Sequence, residues 1–273
     1  METTKRTLLE NAIKASILAG AEILEVYDGK IEVEMKDDKS PLTMADKKSH
    51  EAIMEVLEKG SIPILSEEGR DISYDERKDW KTLWVVDPLD GTKEFIKKNG
   101  EFTVNIALIE YGEPTFGVVH APVLKKSYLG AKGKGAFIIE DGEKSAISAK
   151  PHETGEVWKV VGSRSHQSPE INKIMDALEG EKDLVAMGSS LKLCLVATGE
   201  AHALIGGDLV VSAGSKTLGL TQGGRTGAVV NSHQIITGEF TRDTEFQMPY
   251  DRLTLALEAR LKDDVALFDA SDL

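Results

Sequence analysis

Trp84-Val85-Val86-Asp87-Pro88-Leu89-Asp90-Gly91-Thr92 joins an apolar run to two acids, a proline and a glycine within nine residues. Leu83–Val86 reads as a short buried strand. A similar run, Ile62–Leu65, also ends at acids, in Leu65-Ser66-Glu67-Glu68-Gly69. Asp46 follows Leu42-Thr43-Met44-Ala45 at the head of a helical pattern that continues through Ile53, Val56 and Leu57. Acids at strand ends are where ligands collect in α/β folds. Taken singly, each has a local explanation: Asp46 as a helix N-cap, Asp87-Pro88 as the start of a turn, Glu67-Glu68 as solvated surface. Together they point further. Val85-Val86-Asp87 sets a carboxylate at the end of a buried strand, and an unpaired buried carboxylate is costly.

A hard divalent cation relieves that cost. Mg²⁺ takes oxygen ligands at ~2.0–2.1 Å and keeps several waters, so a few carboxylates and a backbone carbonyl suffice. Pro88 predicts a turn that aims Asp87, the Leu89 carbonyl and Asp90 at one point. Gly91-Thr92 supplies free backbone N–H groups for phosphate oxygens if a helix starts there. Carboxylates, a cation and an anion cradle describe phosphoryl transfer to water.

Outward from this centre, residues 4–27 carry Leu8, Ala12, Ala15, Ala19, Ile23 and Tyr27 at helical spacing, stopped by Asp28-Gly29. Ile31, Val33 and Met35 alternate with charged residues as a half-exposed strand, and Lys36–Pro41 is a loop. Phe102–Ile109, a turn over Tyr111–Pro114 and Thr115–Val119 predict a hairpin, continued by Ser127–Ala131 and Ala136–Ile139. Gly130–Gly135 lies between two of these strands and lacks phosphate-loop spacing, so it reads as a hairpin turn. Strands and helices then alternate: Lys159–Gly162, a helix near Pro169–Leu178, Leu184–Ala186, a helix over Leu191–Thr198, Ala201–Ile205 and Leu209–Ser212. Gly227–Ile235 fits a late strand, and 214–250 is otherwise the least legible stretch. The expected organisation is two packed α/β subdomains, 1–145 with the acidic motifs and 146–273.

Composition removes several classes. With 33 Lys+Arg against 46 Asp+Glu, the net charge of −13 argues against sequence-blind nucleic-acid binding, which needs a basic face, and leaves room for a small anion at a local basic site. The longest apolar runs are far below the roughly 20 residues of a membrane span. The start, Met1-Glu2-Thr3-Thr4-Lys5-Arg6, leads into an amphipathic stretch without a signal-peptide core, and the single cysteine, Cys194, suits a reducing compartment. A cytoplasmic location is the expectation. Cys194 sits in an apolar run and reads as a small buried hydrophobe rather than a nucleophile.

Leu65–Gly69 with Trp84–Ile96 resembles the inositol monophosphatase superfamily of Mg²⁺-dependent, lithium-sensitive phosphatases. Asp90-Gly91-Thr92-Lys93-Glu94-Phe95, Asn99–Ile109, Gly162-Ser163-Arg164-Ser165-His166 and Gly188-Ser189-Ser190-Leu191-Lys192 are similar to its 3′(2′),5′-bisphosphate nucleotidase branch. The likeness runs over roughly residues 5–213 and is most specific in 65–123. It implies an α/β (α+β layered) fold, an alternating α-β-α-β-α sandwich of two subdomains. It also implies Glu67, Asp87, the Leu89 carbonyl and Asp90 as metal ligands, and Asp46 with Thr92 as the pair that orients and deprotonates water. Gly91, Thr92, Ser163, His166, Gly188, Ser189 and Lys192 match substrate-binding positions. Read without the family, His166 is a surface histidine and Gly188-Ser189-Ser190 a cap for the following helix.

One family element is missing. Relatives carry a further metal-ligand aspartate in a Trp-Asp-x-Ala-Ala-Gly-like segment, where this chain has Leu209-Val210-Val211-Ser212-Ala213-Gly214. Asp208 is the nearest acid and is left without a role. The implied activity is hydrolysis of adenosine 3′,5′-bisphosphate to AMP and phosphate, with two or three Mg²⁺ ions and a weakened or rebuilt second metal site. 3′-Phosphoadenylyl sulfate is a further candidate substrate, in a sulfate-assimilation role. The implied partner is the small nucleotide, with no nucleic acid or membrane span, in a monomer or homodimer. Two alternatives stay open: a phosphatase of inositol monophosphate or fructose 1,6-bisphosphate on the same fold, and a catalytically weakened nucleotide-binding homologue.

Overall fold

The computed structural model describes residues 2–29, 33–35, 41–163, 175, 180–206, 227–231, 250–261 and 265–268. His166, the stretches expected as a helix near 169–178 and a strand at 209–212, and nearly all of 214–250 lie outside the described residues. The chain divides into two compact units: Met1–Ile147 with Gly188–Leu191, and Ser148–Met187 with Lys192–Leu273.

The first unit begins with helix α1 (Glu2–Asp28), followed by the short antiparallel pair β1 (Val33–Met35) and β2 (Pro41–Thr43) and helix α2 (Met44–Leu57). Ala12, Ala15 and Ala19 of α1 are fully buried, and these small side chains let α1 and α2 pack closely. A seven-stranded sheet follows, in spatial order β3 to β9. Its strands are β3 (Ile64–Ser66), β4 (Thr82–Asp90), β5 (Thr103–Glu110), β6 (Glu113–Ala121), β7 (Lys126–Ala131), β8 (Gly135–Glu140) and β9 (Glu143–Ile147). β3 and β4 are parallel and every other neighbouring pair is antiparallel. One-turn helix α3 (Tyr74–Arg77) precedes β4, and α4 (Thr92–Ile96) follows it.

Alternation sets the sheet's inner face: Trp84 and Val86 of β4 pair with Leu108 and Ile106 of β5, all buried. Tyr27, Phe95 and Phe102 form an aromatic triangle with centroids 5.1–5.3 Å apart. Phe95 lies on α4 and Phe102 directly before β5, so the triangle anchors both flanks of the Asp90-Gly91-Thr92 segment. The hairpin turn expected at 111–114 is tighter: Tyr111 (φ 53°) and Gly112 (φ 79°) make it, and Pro114 belongs to β6. Gly133 and Gly135 turn between β7 and β8. The sequence reading did not include β9, whose residues are almost wholly exposed and show no burial period.

In the second unit, β10 (Trp158–Ser163), β11 (Lys182–Met187), β12 (Ala203–Gly206), β13 (Gly227–Asn231) and β14 (Val265–Phe268) form a parallel sheet in the order β11-β10-β12-β13-β14. Helices α5 (Leu191–Thr198) and α6 (Tyr250–Leu261) accompany it among the described residues. Cys194 is buried on α5, 5% exposed, and forms no disulfide. No helix among the described residues is long and apolar enough to cross a membrane.

Candidate active site

Pro88 does not start a turn out of the strand, as the sequence reading had it. β4 continues to Asp90, and its register against β5 shifts between Asp87 and Asp90: Asp87 faces Asn105, and pairing resumes at Asp90 with Thr103. Proline has no N–H for the ladder, so the strand bulges there and then re-pairs. The bulge displays Asp87, Leu89 and Asp90 close together. Gly91 then turns the chain at φ 96°, and a Cβ there would lie 3.0 Å from Glu101 O and from Ser189 Cβ.

Asp46 is the N3 residue of a capping box whose N-cap is Thr43, not the N-cap itself. It is 1% exposed. Its Oδ2 accepts from the Thr43 backbone N–H (2.8 Å) and hydroxyl (2.6 Å), and Oδ1 is 3.4 Å from Thr92 Oγ1. Burial pushes its carboxyl above the usual range, the two Thr43 bonds pull it back, and Glu68 nearby adds to the rise. Thr92 Oγ1 is also 3.4 Å from the Leu89 carbonyl, so one hydroxyl proton has two candidate acceptors.

Asp87 is half-buried rather than fully enclosed, and its Oδ1 accepts from Leu89 N–H at 3.2 Å. Burial, then the charge of Asp90, then that of Glu67 and a hydrogen bond with Glu67, push its carboxyl up to about 8. Glu67 is exposed at the rim; its backbone N–H bonds to Val86 O at 3.1 Å, which holds it beside the end of β4. Among the described residues no three acidic, histidine or cysteine side chains already surround one point as a metal cage. Asp87 instead meets Glu67 through a side-chain hydrogen bond.

Asp90 Oδ2 accepts from Ser190 N–H at 2.5 Å, with Thr103 Oγ1 and Asn105 Nδ2 each at 3.5 Å. Ser190 Oγ lies 2.7 Å from Thr103 Oγ1 and 3.0 Å from Asn105 Oδ1. Gly188 donates its N–H to Glu101 at 2.8 Å, and a Cβ there would come within 2.5 Å of Glu94 Cγ and 3.0 Å of Glu101 O. Ser189 Oγ accepts from Leu191 N–H at 3.3 Å where α5 begins, and Ser189 lies against Gly91.

The first unit thus gathers Asp46, Glu67, Asp87, Leu89, Asp90, Gly91, Thr92, Gly188 and Ser189. Ser163, the last residue of β10, and Lys192, on α5, belong to the second unit. The sequence reading missed Thr43, Thr103, Asn105 and Ser190 as parts of this arrangement. Thr43 alone had a readable cue, a Thr three residues before an acid at a helix start. The others act across tens of residues and carry no local pattern.

The chain belongs to the inositol monophosphatase family, whose model matches residues 4–211. The family is Mg²⁺-dependent in general. The chain is 47% identical over 199 residues to the 3′(2′),5′-bisphosphate nucleotidase CysQ of Salmonella typhimurium, covering 71% of this chain and 78% of that protein. Its counterpart from Escherichia coli K12 is 44% identical over the same shares. Among solved structures, the chain matches CysQ from Bacteroides thetaiotaomicron with TM-score 0.60 and 41% identity, over 71% of this chain and 78% of that one. The family match ends at residue 211.

Proposed function

We propose that this protein is a Mg²⁺-dependent 3′(2′),5′-bisphosphate nucleotidase that converts adenosine 3′,5′-bisphosphate and water to AMP and phosphate. One observation carries the reading: Thr92 Oγ1 stands 3.4 Å from both Asp46 Oδ1 and the Leu89 carbonyl, beside the Asp87–Glu67 pair. The donor set fits a hard cation, because all its groups are oxygens, and burial together with the negative charges of Asp90 and Glu67 raises the Asp87 pKa, a cost that a bound cation relieves. Glu67, Asp87, the Leu89 carbonyl and Asp90 would hold Mg²⁺. The ion, when bound, supplies a Lewis acid that acidifies water and stabilises charge on the leaving oxygen.

The protein's own part is the proton path and the alignment. Thr92 accepts a proton from the attacking water as its hydroxyl proton passes to Asp46, whose raised pKa makes it a better base than an ordinary aspartate. Water attacks the 3′-phosphorus in line, and the bond from phosphorus to the ribose 3′-oxygen breaks. Gly91, Thr92, Ser163, His166, Gly188, Ser189 and Lys192 are assigned to the nucleotide on the family resemblance alone. Lys192 takes the phosphate that is not cleaved, as a point charge. The absence of the Trp-Asp segment assigns this chain a weakened second metal site and modest lithium inhibition. Recycling of a sulfate-assimilation by-product in the cytoplasm, with 3′-phosphoadenylyl sulfate as second substrate, completes the proposal.

Phosphate release is measured from adenosine 3′,5′-bisphosphate, inositol 1-phosphate and fructose 1,6-bisphosphate across a Mg²⁺ series, for the native protein and Asp87→Asn. Preference for the nucleotide and loss of its turnover in the variant support the proposal. Turnover unaffected by Asp87→Asn refutes it, and nucleotide affinity without turnover marks a binding homologue.

A further inference from the structure

Helix α2 carries three side chains that each bond to a different segment of the site. Asp46 meets Thr92 (3.4 Å), Ser49 donates to the Pro88 carbonyl (2.7 Å), and His50 Nδ1 lies 2.9 Å from Ser66 Oγ, next to Glu67. Ser49 has no place in the chemistry above. It is nonetheless fully buried, and its partner is the carbonyl at the centre of the β4 bulge. A bulge removes ladder partners, and a buried carbonyl left without one is costly. Ser49 supplies the missing donor.

The bond does more than satisfy an orphan. The peptide between Pro88 and Leu89 is planar and trans, so its C=O and N–H point in opposite directions. With Pro88 O held by Ser49 on one side, Leu89 N–H is aimed to the other, where it donates to Asp87 Oδ1 at 3.2 Å. That bond orients the Asp87 carboxylate toward Glu67 and Asp90. Ser49 also lies three residues after Asp46, on the same face of α2, so one helix sets both the base and the ligand bulge.

We infer that Ser49 is a positioning residue for the cation site, acting on Asp87 through the Pro88–Leu89 peptide plane. The inference rests on the metal assignment proposed above. Mn²⁺ is used as the probe, its binding followed by electron paramagnetic resonance, alongside the melting temperature in chelator and the KM for the nucleotide. Removal of a group that orients a ligand typically weakens metal binding about 10-fold or more. Ser49→Ala is expected to bind Mn²⁺ about 10-fold more weakly with little change in KM at saturating metal, and to melt lower in chelator because the buried Pro88 carbonyl loses its donor. Ser49→Cys keeps the side chain's shape with a weaker donor and should fall between; it carries the same test if Ser49→Ala does not fold. Wild-type Mn²⁺ affinity in Ser49→Ala, while Asp87→Asn loses the ion, overturns the positioning role alone. An unchanged affinity in Asp87→Asn, or no binding by the native protein, overturns the metal assignment itself.

Discussion

Thr43 places two hydrogen bonds on a single oxygen of Asp46: its N–H and its hydroxyl both end on Oδ2, at 2.8 and 2.6 Å, which leaves Oδ1 to Thr92. A helix cap and a proposed base are therefore the same carboxylate, with one oxygen for each task.

Thr43→Val removes the hydroxyl at nearly constant volume. Loss of the cap should cost about 1 kcal/mol of stability. Because the hydroxyl lowers the Asp46 pKa, its removal raises that pKa further. A base must be deprotonated to act, so the acid limb of the kcat–pH profile should move to higher pH. A limb in its original place would separate Asp46 from the proton transfer.

Asp87→Asn should have opposite effects with and without metal. In chelator, the native Asp87 has a folded pKa near 8 against an ordinary 3.8. The folded state then binds more protons, and stability falls as pH rises from about 4 to 8. Asparagine removes that penalty, so the variant should melt higher than the native protein at pH 8 in chelator. It should also lose the rise in melting temperature that Mg²⁺ gives the native protein. Differential scanning calorimetry in both buffers measures the two effects.

Gly188→Ala forces a methyl against Glu94 Cγ at 2.5 Å and the Glu101 carbonyl at 3.0 Å. Glu94 is only 6% exposed, so it has little room to give way. Overpacking of this kind costs roughly 1–3 kcal/mol. The nucleotide KM should rise, because Ser189 and Ser190 move with the displaced backbone. Steady-state kinetics with a melting curve test it, and an unaltered KM would remove this segment from the binding site.

His120 is 8% exposed and bonds Ser127 Oγ through Nδ1 at 2.9 Å; burial pushes its pKa down to about 4. The unfolded chain takes up a proton near pH 6.5 that the folded protein refuses until about 4. Stability is thus lost as pH falls through that window, by about 3 kcal/mol in all, with no further loss below it. His120→Gln keeps a polar partner for Ser127 without the titration. The difference in stability between native and variant protein should change by that amount between pH 6.5 and 4, followed by urea unfolding at constant ionic strength.

Much of the first unit was legible because its elements are strongly periodic. The alanine stripe of α1, the alternation of Val104, Ile106 and Leu108, and the acids after Leu65 and Val86 are local patterns that burial imposes on any chain folded this way. β9 escaped because an exposed edge strand has no burial period to show. The Pro88 bulge was read as a turn because proline marks both, and only the renewed pairing of Asp90 with Thr103 tells them apart.

The order of residues by itself determined which oxygens were available: Asp46, Glu67, Asp87, Asp90 and Thr92 stand at the ends of elements whose periods are plain in the chain. Which of them meet was decided by the tertiary structure. Thr92 reaches Asp46 across 46 positions, Ser49 reaches Pro88 across 39 and Asp90 reaches Ser190 across 100, contacts that no local pattern encodes. The physical reason is that periodicity records only burial on one face. Direction at a site comes from single hydrogen bonds, which exist only once distant elements have packed.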